Sequence, residues 1–172
     1  MFALILGGSA SGKSEYAEQL AVSCGGRRLY LATMRPFGEE AAKRIARHRA
    51  LRAGKGFESR DCYTDLPKAE TSGFQTVLLE CMSNLLANEM FREGAVWEGL
   101  PERLAQEVME LAGRVPNLVV VSNDIFEDGV RYDRETEVYR DMLGKINIAL
   151  AACAQQVTEV VCGLPIQWKM SI

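Results

Sequence analysis

Phe2-Ala3-Leu4-Ile5-Leu6, followed at once by Gly7-Gly8-Ser9-Ala10-Ser11-Gly12-Lys13-Ser14, decides the reading of this chain. The first five residues are a continuous apolar run, short enough for a strand buried on both faces. The next eight fit G-x-x-x-x-G-K-[ST]. Between a strand and a helix, glycines let such a loop wrap with its backbone N–H groups pointing inward at phosphate. The helix that starts near Lys13 adds its positive end. Lys13 reaches the β- and γ-phosphates, and the Ser14 hydroxyl takes one position on Mg²⁺. Residues Gly7, Gly8, Ser9, Ala10, Ser11, Gly12, Lys13 and Ser14 are therefore the expected triphosphate site, with Lys13 also catalytic.

Outward from the loop, β-rich runs alternate with helical patterns. Helices are predicted over 14–24 (stopped by Gly25-Gly26), 39–53, 83–91, 101–114 and 134–156. Strands are predicted over 28–33, 76–79, 115–122 and 159–162, with Pro165 just beyond the last. Strand–helix alternation implies crossover connections and a mostly parallel sheet, with ligands at the carboxyl ends of the strands. The expected fold is α/β: one three-layer domain of phosphate-loop NTPase type over 1–172, with a mostly parallel central sheet.

Composition narrows the function classes. The 172 residues are 48% hydrophobic and 25% charged, ordinary for a globular domain. Twenty Lys and Arg against 23 Asp and Glu leave a formal charge of −3, so no nucleic-acid partner is expected. No apolar run approaches the roughly 20 residues of a membrane span. The start has no basic segment before its apolar residues, so it does not read as a signal peptide. Five widely spaced cysteines with no C-x-x-C pair and a single histidine argue against zinc and for reduced thiols in the cytoplasm.

Three further groups carry chemistry. Glu80 ends the buried run Val77-Leu78-Leu79, where phosphate-loop proteins keep a carboxylate that helps hold Mg²⁺. Asp124, after the strand that contains Leu118-Val119-Val120-Val121, is equally well placed by sequence, so one of the two acids is open to serve the acceptor. The third group is His48, set among Lys43, Arg44, Arg47, Arg49, Arg52 and Lys55 with no acid between residues 41 and 57. Arg44, His48 and Arg52 stand four residues apart and share a helix face. Arginine suits phosphate through its planar fork, and neighbouring positive charge favours the neutral, nucleophilic imidazole. His48 thus reads either as a nucleophile toward an α-phosphate or as a plain surface histidine on a basic helix.

Four blocks taken together, G-G-S-A-S-G-K-S, L-Y-L-A-T, R-I-A-R-H-R-A-L-R and L-L-E-C, resemble the adenosylcobinamide kinase/adenosylcobinamide-phosphate guanylyltransferase family of cobalamin biosynthesis. The resemblance implies phosphorylation of the aminopropanol hydroxyl of adenosylcobinamide by a nucleoside triphosphate, ATP or GTP. It then implies GMP transfer from GTP to adenosylcobinamide phosphate through a GMP-histidine at His48. By the same resemblance Ala32, Thr33 and Met34, and Arg49, Ala50, Leu51 and Arg52, contact nucleotide. Asp61 stands where the family has an acid, and Glu80 matches the acid beside the phosphates. Members are trimers with sites between subunits, so a homo-oligomer is implied.

The chain departs from the family pattern after Asn123. Many members continue with an acid and then a glycine-rich stretch ending in Val-Pro; here 124–131 begins with an acid, Asp124, but has Phe126 and Asp128 at glycine positions and Arg131 at the proline. Arg47 replaces a second histidine. Two other functions account for part of the pattern: a small-molecule kinase without nucleotidyl transfer, and a non-catalytic GTP-binding module.

Overall fold

In chain order the elements are β1 (Phe2–Leu6), α1 (Lys13–Ser23), β2 (Arg28–Ala32), α2 (Gly38–Arg52), β3 (Phe57–Asp61), β4 (Thr76–Glu80), α3 (Met82–Met90), α4 (Leu100–Arg114), β5 (Asn117–Val121), α5 (Arg134–Cys153), β6 (Gln156–Val161) and β7 (Leu164–Met170). They are seen in a computed structural model, which describes residues 1–126 and 129–170. The side chains of Glu40, Ala41, Arg44, His48 and Leu51 on α2 also lie outside the described residues. The strands form one sheet in the order β3-β2-β4-β5-β1-β6-β7. Every pairing is parallel except β6 with β7. This is the α/β, mostly parallel architecture that the strand–helix alternation predicts.

Alternation along each strand sends neighbours to opposite faces. Phe2 and Leu4, Leu29 and Leu31, Val77 and Leu79 join one buried cluster, together with Leu86, Val108 and Ile146 from α3, α4 and α5. Ala3 and Ile5, Tyr30 and Leu78 face the other way, toward Ala17 and Ala21 of α1. Each fully buried leucine of this kind contributes about 1.5–3 kcal/mol. The small Ala17 and Ala21, both fully buried, sit on the α1 face turned to the sheet. Helix α2 differs. Of its described side chains only Arg52 is buried and only Ile45 half-buried, so it stands off the sheet with a cavity beneath it.

Two strands are absent from the sequence reading. β3 is polar, with only Phe57 apolar at its start. It holds its place at the sheet edge through backbone pairing with β2, through Glu58, which binds Arg27 at 2.8 Å, and through Arg60, which donates to Glu70 O at 2.8 Å. β7 follows a tight reversal at Cys162-Gly163, where both φ are positive, 50° and 80°, as two-residue hairpin turns require. Pro165, read as a terminator, lies inside β7 opposite Val160; an edge strand tolerates its missing N–H. Helix α5 ends at Cys153 rather than 156, and β6 begins at Gln156 rather than 159.

Candidate nucleotide and phosphate site

The phosphate loop is held from below by the β6–β7 hairpin. Gly163 donates its N–H to Ser11 O at 2.8 Å. A Cβ on Gly7 would lie 2.5 Å from Ser11 Oγ and 2.7 Å from Val160 O, so only glycine fits there. Gly12 caps α1 with φ 92°, a left-handed conformation that glycine adopts without cost. The hairpin's role in the loop is a contribution that motif reading misses, because Val160 and Gly163 lie about 150 residues away in sequence.

Lys13 is buried and its ammonium donates to Gly8 O at 2.8 Å. Burial pushes it below the usual lysine range, opposed by the charge of the Glu80 carboxylate. Ser14 Oγ donates a short hydrogen bond to Glu80 Oε1. Glu80 closes β4, and one strand, β5, stands between it and β1. The Tyr30 hydroxyl also bonds Glu80, and its ionisation is pushed up by burial first and by the Glu80 charge next. A hydroxyl and a carboxylate in contact at a strand end, beside the phosphate-loop lysine, are the hard oxygen donors that Mg²⁺ takes.

A cavity of about 450 Å³ covers this loop; Ser9, Lys13, Ser14, Arg47, Glu80 and Asn123 line it. Through a wall of Met34, Glu80, Cys81 and Asn84 it adjoins a second cavity, about 550 Å³, beneath α2. Ala32, Met34, Arg49, Arg52, Asp61 and Glu80 all line this second space. Residues from β2, α2, β3 and β4 that sequence separates by up to 48 positions thus meet around one hollow. The Arg52 guanidinium lies 3.4 Å from the centre of the Tyr30 ring, a cation–π arrangement. Its Nη1 is buried and has no hydrogen-bond partner among the described residues.

Other expected site residues stand elsewhere. Thr33 is fully buried. Its hydroxyl donates to Cys81 O at 2.8 Å and accepts from Cys81 N at 2.6 Å, tying the ends of β2 and β4 together. Ala50 is exposed. His48 and Leu51 lie on α2 with side chains outside the described residues, as does that of Arg44, so of the expected basic face Arg52 alone is placed. Tyr30, Tyr63, Cys81, Asn84 and Asn123 line these cavities without having been singled out. The signal for them was position alone: each sits at or just past the carboxyl end of a strand, or, as with Tyr30, on a strand itself.

A glycine loop between a buried strand and a helix, with lysine and serine at the helix start and a carboxylate two strands away, defines a phosphate-loop nucleotide-binding protein. The profile of the cobinamide kinase/cobinamide phosphate guanyltransferase family matches residues 3–168, and the chain belongs to that family. It is 30% identical to the bifunctional adenosylcobalamin biosynthesis protein CobU of Escherichia coli, over 98% of this chain and 100% of that one. It is 31% identical to CobU of Salmonella typhimurium, over 98% and 100%. To the bifunctional adenosylcobalamin biosynthesis protein CobP of Pseudomonas aeruginosa it is 31% identical, over 96% of each. Among solved structures, that of the RadB recombinase superposes with TM-score 0.47 at 19% identity, covering 92% of this chain and 73% of that one.

Proposed function

We propose that the chain phosphorylates adenosylcobinamide with a nucleoside triphosphate and then transfers GMP from GTP to the resulting phosphate through His48. The observation that carries this reading is the pair of joined cavities. One holds the phosphate loop, and the other carries Arg49 and Arg52 from the helix on which His48 sits. A kinase alone needs the first; nucleotidyl transfer through α2 needs both.

In the kinase step Lys13 and the loop N–H groups hold the β- and γ-phosphates in line with the acceptor. Catalysis is then positioning and charge neutralisation. Ser14 and Glu80 would hold Mg²⁺, which supplies charge neutralisation on the phosphates when bound. In the second step the His48 imidazole attacks the α-phosphorus of GTP, a P–N bond forms, and the α,β-bridging P–O bond breaks with release of pyrophosphate. Cobinamide phosphate oxygen then displaces the imidazole. Arg49 and Arg52 supply positive charge to the phosphates as negative charge develops.

The acceptors are small corrinoids, and no nucleic acid is involved. No helix among the described residues is long and apolar enough to cross a membrane. A homo-oligomer is part of this reading, supported by the apolar face of the edge strand β7, where Leu164, Trp168 and Met170 are each more than 60% exposed.

GTP labelled at the α-phosphate tests the assignment. Wild-type protein takes up acid-labile label, and His48→Ala takes up none while it still phosphorylates cobinamide. Cobinamide phosphorylation without label in the wild type leaves a kinase only. Nucleotide binding with neither activity leaves a binding module.

A further inference from the structure

The phosphate-loop cavity has a second neighbour. On the side away from α2 lies a space of about 620 Å³, lined by Gly8, Ser9, Asp124, Ile125, Tyr139 and Arg140 among others. Ser9 and Ile125 belong to both walls. The three cavities therefore run in a row, with the phosphate loop in the middle. The Lys13 ammonium, which serves the β- and γ-phosphates, rests on Gly8 O. Gly8 lines the third cavity, so that cavity opens at the transferable end of a bound triphosphate.

Asp124 and Phe126, which begin the loop that walls it, are held by contacts to the phosphate loop and α5. Asp124 donates its N–H to Gly7 O at 3.0 Å. Arg140 Nη2 donates to Phe126 O at 3.1 Å, and the Phe126 ring packs on Gly144 of α5. Asp124 is half-buried; its Oδ1 accepts a long 3.4 Å bond from Phe126 N, and its Oδ2 accepts none from the described residues. Arg140 is paired with Glu137 at 3.4 Å and lies over Tyr132 at 5.2 Å. The pocket thus joins a carboxylate to aromatic and aliphatic walls, and its cation is already paired. A neutral alcohol fits such a lining, with the carboxylate free to accept its proton.

We infer that this third cavity takes the alcohol end of the phosphoryl acceptor and that Asp124 is the catalytic base of the kinase step. The acceptor O–H gives its proton to Asp124 Oδ2 as its oxygen bonds the γ-phosphorus. The β,γ-bridging P–O bond breaks, the nucleoside diphosphate leaves, and the proton passes to solvent through the open side of the cavity. Positioned bases of this kind are worth about 10²–10⁴ in rate. Glu80, already bonded to Ser14 and Tyr30, stands across the loop from this position. The assignment rests on the kinase half of the function proposed above.

Its test is Asp124→Asn, assayed for three things: cobinamide phosphorylation, affinity for the triphosphate, and guanylyl transfer to cobinamide phosphate made beforehand. The expected result is a kinase kcat at least about a hundredfold lower, with nucleotide affinity and guanylyl transfer within about threefold of wild type. A kinase kcat within about threefold of wild type overturns the base while leaving the kinase reading intact. Loss of all three together also overturns it, since Asp124 is then structural. Wild-type protein that phosphorylates no cobinamide overturns the proposed function itself, and the base with it.

Discussion

Glu80 and Asp124 illustrate what single residues disclose. Both acids follow buried strands, and from sequence either could face the metal. The structure separates them by partner: Glu80 accepts from Ser14 Oγ, whereas Asp124 lies in the cavity beyond Gly8 and Ser9. Sequence could not separate them because adjacency alone misleads: β5 stands next to β1, yet Ser14 is bonded to the acid that ends β4, one strand further out. Glu80→Gln is expected to raise the Mg²⁺ concentration needed for half-maximal kinase activity about 10- to 100-fold, as loss of a metal-site partner does. Metal-free nucleotide binding should change little. An unchanged Mg²⁺ midpoint would remove Glu80 from the metal site. Thr33 marks the opposite limit. It stands in a nucleotide-contacting segment by resemblance, yet its hydroxyl is consumed by the Cys81 backbone. Which way a side chain turns at a strand end depends on partners that the chain supplies 48 residues later.

At the scale of elements, the buried strands and the amphipathic α4 were legible because their apolar spacing follows from burial. β3 and β7 were not, because edge strands need no buried face. Their pairing rests on backbone bonds and on partners such as the Arg27–Glu58 ion pair. The hairpin has a testable part in the phosphate loop. Gly163 and Gly25 both have positive φ, 80° and 72°, and a Cβ on either would touch nothing within 4 Å. Alanine at either site therefore costs a similar backbone strain, about 1 kcal/mol. Gly163 alone is bonded to the loop, through Ser11 O. Thermal melts should show similar losses for Gly163→Ala and Gly25→Ala, but only Gly163→Ala should weaken triphosphate binding. Equal nucleotide affinities in the two variants would show that the hairpin does not shape the loop. Phe126, which by resemblance stands at a glycine position, has a place at this scale. Its ring lies against Gly144, where the helix surface has no side chain of its own.

For the whole molecule, the five cysteines report on packing. Cys153 and Cys162 are exposed, while Cys62 and Cys81 are buried. Burial pushes the Cys62 thiol up to about 11, helped by Glu107, Asp65 and Glu89; burial also raises Cys81. Thiolate is the reactive form, so at pH 8 both inner thiols are protonated as well as shielded. A small thiol reagent should titrate Cys153 and Cys162 quickly in the native protein, and Cys62 and Cys81 only at the rate of opening of the core. Fast reaction of Cys62 at pH 8 would contradict the packing of β3 against the sheet. Sequence reading set these thiols in a reducing compartment, but it could not rank them, because their depth depends on the layers rather than on neighbours in the chain.

The strand that carries the phosphate loop lies deep in the sheet, between β5 and β6, and the loop is closed by the turn at Gly163. The earliest part of this sequence to leave a ribosome is thus finished by one of the latest. At about 5–20 residues per second, Phe2–Leu6 would wait on the order of 10 s for its second neighbour, an apolar strand paired on one side only. A growing chain of this kind holds no triphosphate and spends none. Nucleotide capture by this loop therefore waits on the emergence of Gly163, about 150 residues after the loop itself.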